Sequence, residues 1–291
     1  MNKFNNRFNT AKWPLLIATF LLASTFPTTP TVTQAAEQTA GNTSVNTSAS
    51  VTAPTLSAGF TDELNQFDPV RWYKANGWGN GPGFGAGWRA DHIEFLGDDI
   101  ETKNKVMALR LDNDPCPTGC ANKAYASGEY FTTQKYGYGR VEARIKAAKG
   151  DGLVTSLFTY SGGSGPADEI DIEILGKDTT KLETNYFTNG VSAHGKIIDL
   201  GFDASEDFHD YAFEWSATSI KWYVDGKLVH TETGARGPLP TKPSHIMVNL
   251  WPGAGPTESW TKPFVYNGKP IRAYYDWIKF TPENELNTPQ P

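Results

Sequence analysis

Polar and apolar residues alternate one for one along much of the chain between residues 60 and 280. A period of two is that of a half-buried β-strand, whose successive side chains point to opposite faces. In Gly139-Arg140-Val141-Glu142-Ala143-Arg144-Ile145-Lys146, the residues Val141, Ala143 and Ile145 share one face and the charges share the other. The alternation recurs in 211–215 (YAFEW) and 220–224 (IKWYV). Asp225-Gly226 then separates the second run from KLVHT, a two-residue hairpin signal, since such turns need residues that tolerate positive φ. Turn residues recur throughout, with 28 Gly and 19 Pro. Outside an N-terminal apolar run, no stretch of about 12 residues carries a helical stripe. The pattern predicts an all-β fold, a two-sheet antiparallel sandwich of many short strands.

The N-terminal region departs from this pattern. Lys3, Arg7 and Lys12 precede an apolar run from Trp13 to Phe26, and small residues then lead to Thr33-Gln34-Ala35-Ala36. That order is expected of a secretory signal peptide over residues 1–36. The apolar run is short for a membrane span, which takes about 20 residues. Residues 37–58 are mostly Thr, Ser, Ala and Asn, and bury too little apolar surface to offset their ordering entropy, so a disordered linker is expected. One folded domain should occupy 59–282, with a loose tail over 283–291. An extracellular location follows from the leader.

The two cysteines, Cys116 and Cys120, flank a turn-prone Pro-Thr-Gly. In an exported chain they should form a short-loop disulfide, and they are too few for a zinc site. A formal charge of −6, with no basic run among the aromatics, argues against nucleic acid or an anionic membrane as partner. A monomer is the default expectation. Aromatic residues make up 13% of the chain, including 9 Trp and 12 Tyr. They suit either core packing or stacking platforms for flat ligand faces such as pyranose rings. The five His show no metal-ligand spacing, and the glycine-rich stretch 77–87 lacks the lysine and helix of a phosphate loop, so it is expected to be a cleft loop.

The most informative segment is Asp168-Glu169-Ile170-Asp171-Ile172-Glu173-Ile174-Leu175-Gly176. On a strand, Glu169, Asp171 and Glu173 line one face while Ile170, Ile172 and Ile174 pack behind them. Three carboxylates in a row repel one another and serve no packing purpose. An outer edge strand would more often carry Lys or mixed charge. Retaining glycoside hydrolysis, by contrast, needs two carboxyl groups about 5–5.5 Å apart, and like charges that close raise one pKa toward that of a general acid. A non-catalytic, lectin-like sandwich has no use for such a row.

These residues, with Leu175-Gly176-Lys177-Asp178-Thr179-Thr180 after them, resemble the signature of glycoside hydrolase family 16, and most closely its bacterial lichenase branch of endo-β-1,3-1,4-glucanases. The resemblance continues through 185–190 (NYFTNG), 196–203 (KIIDLGFD), 220–226 (IKWYVDG), 249–251 (NLW) and 275–277 (YDW), and covers about 60–280. It implies a β-jelly-roll sandwich of the concanavalin A type with a concave substrate cleft. By this resemblance Glu169 is the nucleophile, Asp171 its electrostatic partner and Glu173 the general acid/base. Asn80, Glu129, Asn185 and Asn249 would bind sugar hydroxyls, and Trp78, Phe158, Phe187 and Trp251 would form apolar walls. The substrate would be a β-glucan, mixed-linkage glucan favoured. No cofactor is implied for catalysis, and Asp276 matches the carboxylate of a structural calcium site. The chain departs from the lichenase pattern at Ala167, where Trp is usual, and at Phe131, where Arg is expected. It also lacks the family's disulfide partners, at Ala86 and Ser127. A related endo-glycanase or transglycosylase acting on another β-glucan or an exopolysaccharide is the alternative.

Overall fold

The computed structural model describes residues 58–98, 105–116, 120, 122–163 and 165–286. The signal peptide, nearly all of the linker and the end of the tail lie outside the described residues. The alternating runs form two large antiparallel sheets. The front sheet has seven strands in the spatial order Lys196–Asp199, Lys181–Phe187, Glu169–Leu175, Leu153–Tyr160, His245–Pro252, Glu129–Thr132 and Trp72–Lys74. The back sheet has eight, with Gly139–Lys146 and Ile271–Pro282 at its centre. A smaller third sheet joins the hairpin Trp78–Gly79 and Ala86–Trp88 to Tyr125–Ser127. This is the jelly-roll sandwich that the resemblance implies.

The period-two faces meet in the middle. Ile170, Ile172, Ile174, Leu157 and Val248 of the front sheet pack with Val141, Ala143, Ile145, Phe213 and Trp222 of the back sheet. Gly139–Lys146 alternates buried and half-buried without a break. At the Asp225-Gly226 turn both residues have positive φ, 46° and 73°, the conformation that selects these residue types. Helix is confined, among the described residues, to Glu258–Thr261 and three 3-10 turns.

Cys116 and Cys120 form the expected disulfide, with Cα atoms 5.8 Å apart. The Cys120 side chain sits where a β-carbon at residue 87 would be, so Gly87 is the residue that admits it. Ala86 and Ser127 are fully buried on adjacent parallel strands. The last strand ends at Pro282, but Glu283–Glu285 then makes a 3-10 turn whose first N–H donates to Tyr138 O at 3.1 Å. This backbone hydrogen bond ties the first residue after the strand to the residue that precedes Gly139–Lys146.

Candidate active site

Strand register assembles the site in rows across the front sheet. Glu173 is paired with Ser156 on one side and Glu183 on the other, while Ser156 faces Asn249 and Asn249 faces Glu129. In the next row Asp171 lies between Phe158 and Asn185, and Phe158 leads on to Met247, Phe131 and Tyr73. Glu169 lies between Tyr160 and Phe187. Residues directly opposite in an antiparallel pair project to the same face, so these side chains converge. Those from Glu129–Thr132 to the acidic strand line a cleft, joined by Trp78, Asn80 and Phe84 from the glycine-rich hairpin.

The acidic strand is held from behind. Trp222 of the back sheet donates its indole N–H to Asp171 O at 3.1 Å, and the Tyr275 hydroxyl donates to Ser156 O at 2.9 Å. Both donors are buried, so they fix the backbone beneath the carboxylates rather than the carboxylates themselves. Asp168 anchors the strand's start. Its buried carboxylate accepts from the N–H groups of Asn189, Thr241 and Lys242 at 2.8, 2.7 and 3.1 Å.

Burial and mutual repulsion set the protonation of the three acids. Asp171 is only 4% exposed. Burial first, then the charges of Glu169 and Glu173, push its pKa well above the usual carboxylate range. Its surroundings thus favour the protonated form, and it hydrogen-bonds to Glu169. That bond partly offsets the burial that pushes Glu169 up to about 7. Glu173 is raised well above its ordinary value, by burial first and then by Glu183 and Glu169. The three titrate as a coupled set. The hydrogen bond from Asp171 favours the anionic form of Glu169, whereas the surroundings of Glu173 favour its protonated form. One such carboxylate and one such acid on a single face are the parts a double displacement needs. Glu129, 4% exposed, is pushed up to about 7 by burial, against a hydrogen bond from Asn249 Nδ2 at 3.2 Å.

The structure brings Glu169, Asp171, Glu173, Trp78, Asn80, Glu129, Phe158, Asn249 and Trp251 into the cleft together. Asn185 and Phe187 share the face but lie beyond the acidic strand, outside that hollow. Phe131 lines the cleft, whereas half-buried Ala167 packs beside it against the cluster of Trp251, Tyr160 and Phe131. Ser156, Tyr160, Met247 and Phe84 also line it, and the sequence pattern did not point to them. Period two from Phe158 and from Asn249 yields the first three. Asp276 is remote from the cleft, buried at a bulge of the back sheet, where Glu142, Arg144 and Asp210 share its hollow. A cluster the sequence did not suggest joins His92, Asp112 and Asp114. His92 Nε2 lies 2.8 Å from Asp112, and Arg110 pairs with both Asp112 and Asp114, so the acids there already have a cationic partner.

Residues 89–279 match the family model for glycosyl hydrolases family 16. The chain belongs to this family. It is 48% identical over 225 residues to a beta-glucanase of Paenibacillus polymyxa, covering 76% of this chain and 87% of that protein. A beta-glucanase of Bacillus subtilis strain 168 is 45% identical over 236 residues, covering 80% and 90%. Among solved structures, a prokaryotic beta-1,3-1,4-glucanase (lichenase) from a mouse hindgut metagenome superposes with a TM-score of 0.68 at 42% identity, covering 77% of this chain and 99% of that one. This family member is thus a glycoside hydrolase with its acidic row at the floor of a cleft.

Proposed function

We propose that the protein is a secreted, endo-acting β-glucanase, with mixed-linkage β-1,3-1,4-glucan as its favoured substrate, working by retaining double displacement. The observation that carries this is the cross-sheet row structure: an uninterrupted Glu-x-Asp-x-Glu strand faces a cleft walled by aromatic rings, with Asn and Glu side chains between them. Glu169 attacks the anomeric carbon while Glu173 protonates the departing oxygen. Glu173 then takes a proton from water as that water displaces the sugar from Glu169. Asp171 donates a hydrogen bond to Glu169 and keeps its carboxylate turned into the cleft. Trp78, Phe158 and Trp251 offer apolar faces to sugar rings, and Asn80, Glu129 and Asn249 offer hydroxyl partners. Asn185 and Phe187 extend the same face on the other side of the acidic strand.

Names of the relatives at 42–48% identity support a β-glucan substrate. Phe131 and Ala167 are where this chain's linkage preference would depart, so a related β-glucan or exopolysaccharide is the second substrate class. The decisive experiment is reducing-end release from lichenan, barley glucan, laminarin, xyloglucan and a bacterial exopolysaccharide, with Glu169→Gln beside wild type. Cleavage of mixed-linkage glucan that Glu169→Gln abolishes supports the proposal. Cleavage that survives Glu169→Gln refutes the residue assignment.

A calcium ion would be structural. At the bulge beside Asp276, its buried carboxylate is an oxygen donor of the kind calcium prefers, and Arg144 Nε, 3.6 Å from Asp276 Oδ2, would have to turn away to admit the ion. The ion would take no part in the chemistry. Adding EDTA to the folded protein should lower Tm and leave the pH profile of cleavage unchanged, and an unaltered Tm would argue against the ion.

A further inference from the structure

Glu183, on Lys181–Phe187, projects from the same sheet face as the acidic row and has no part in a two-carboxylate mechanism. It is the direct cross-strand partner of Glu173, which puts their β-carbons about 5 Å apart, where like charges repel. The structure supplies a dedicated holder for it. Trp260 Nε1 donates to Glu183 Oε2 at 2.8 Å. Trp260 itself sits in the short helix Glu258–Thr261, its ring 6.0 Å from that of Trp251, and its carbonyl accepts from Lys177 Nζ. The nearby lysines along the chain are engaged elsewhere: Lys177 is bound to that carbonyl, and Lys181 pairs with Asp178 at 2.8 Å.

We propose that Glu183 is a positioning residue for the acid/base, a fixed anion that Trp260 holds opposite Glu173 so that Glu173 keeps its proton until the glycosidic oxygen takes it. The proposal rests on Glu173 being the acid/base. The groups facing Glu173 are Asp171 and Glu169 on its own strand, Glu183 and Asn185 on one neighbour, and Ser156 on the other. Asn249 and Glu129 lie beyond Ser156. All are acidic or neutral. Among the charges that raise the proton affinity of Glu173, Glu183 stands ahead of Glu169.

The two anions differ through the catalytic cycle. In the first step a bond forms between a Glu169 oxygen and the anomeric carbon, the glycosidic C–O bond breaks, and the Glu173 proton goes to the leaving oxygen. The Glu169 charge is lost in that ester, whereas the Glu183 charge remains. In the second step water attacks the same carbon, its proton passes to Glu173, and Glu169 leaves as carboxylate. Glu183 exchanges no proton, so it sustains the basicity of Glu173 when Glu169 no longer can.

The test is E183Q in the full chain, since a Gln oxygen still accepts the Trp260 N–H. With ¹³C-carboxyl-labelled Glu, and the Glu173 resonance assigned from E173Q, the Glu173 midpoint should fall by about 1 pH unit. The alkaline limb of kcat/KM on barley glucan should move to lower pH by the same amount, and E183D should restore part of both. An unmoved Glu173 midpoint in folded E183Q overturns the proposal. A raised KM with the alkaline limb in place also overturns it, and makes Glu183 a sugar-binding residue. If the midpoint moves while wild type cuts no β-glucan, the hold of Glu183 on Glu173 stands and the β-glucanase proposal falls.

Discussion

Glu129→Gln should make the protein more stable in alkali and no more stable in acid. Glu129 is buried with only the amide of Asn249 to hydrogen-bond it, and its pKa rises from 4.5 to about 7. A raised carboxylate pKa means that the folded state holds its proton more tightly than the unfolded chain does. Its favourable contribution is complete below about pH 4.5, where both states are protonated, and is lost as pH climbs to about 7. Above that the wild type carries a buried charge. A pKa difference of one between the folded and unfolded states is worth about 1.36 kcal/mol, so the loss amounts to roughly 3 kcal/mol. Gln fills the same space and still accepts from Asn249, so the substitution removes this cost. For a domain of this size roughly 3 kcal/mol corresponds to about 6–12 °C in Tm. Calorimetry at pH 4 and pH 8.5 reads it: equal Tm values in acid, and a higher Tm for Glu129→Gln in alkali. A gain of the same size at both pH values, or a loss at pH 8.5, would refute burial of charge as the cause. Activity should fall, because a sugar hydroxyl loses a charged acceptor.

Two further substitutions probe the scaffold. Trp222→Phe removes the indole donor to Asp171 O and should cost about 1 kcal/mol. It should lower kcat more than it changes KM, and thermal melts with steady-state kinetics check both. The double substitution Cys116→Ser, Cys120→Ser opens a very short loop and should cost about 2 kcal/mol. Because Cys120 packs on Gly87 and Lys123 donates to Gly81 O and Phe84 O, the loop braces the hairpin that carries Trp78 and Asn80. KM should therefore rise more than kcat falls, and unchanged KM would show that the hairpin stands without this brace.

The sandwich was legible because its strands are half-buried and alternate cleanly, as in Gly139–Lys146. The acidic row was legible for the same reason: three acids against three isoleucines leave one assignment of faces. What escaped depends on pairing between distant strands. Ser156 and Met247 follow by period two only once Phe158 and Asn249 are placed on the cleft face by register, and neither residue type announces a site. Glu183 becomes notable only when paired with Glu173, ten residues away and across a turn. Trp260 matters because a four-residue helix, too short to leave a periodic trace, points its indole at Glu183. The remoteness of Asn185 and Phe187 from the main hollow likewise follows from strand order, with the acidic strand lying between them and the aromatic wall.

In the proposed mechanism Glu169 attacks sugar while Glu173 supplies and recovers a proton. Two displacements at one carbon retain its configuration, and a single displacement by water inverts it. Proton NMR of the anomeric region during the first moments of barley-glucan cleavage distinguishes the two. Retention predicts that the new reducing ends appear first as the β-anomer, with the α-anomer growing in only as mutarotation proceeds. New ends that appear first as the α-anomer would show a single displacement by water, and would contradict the assignment of Glu169 as nucleophile.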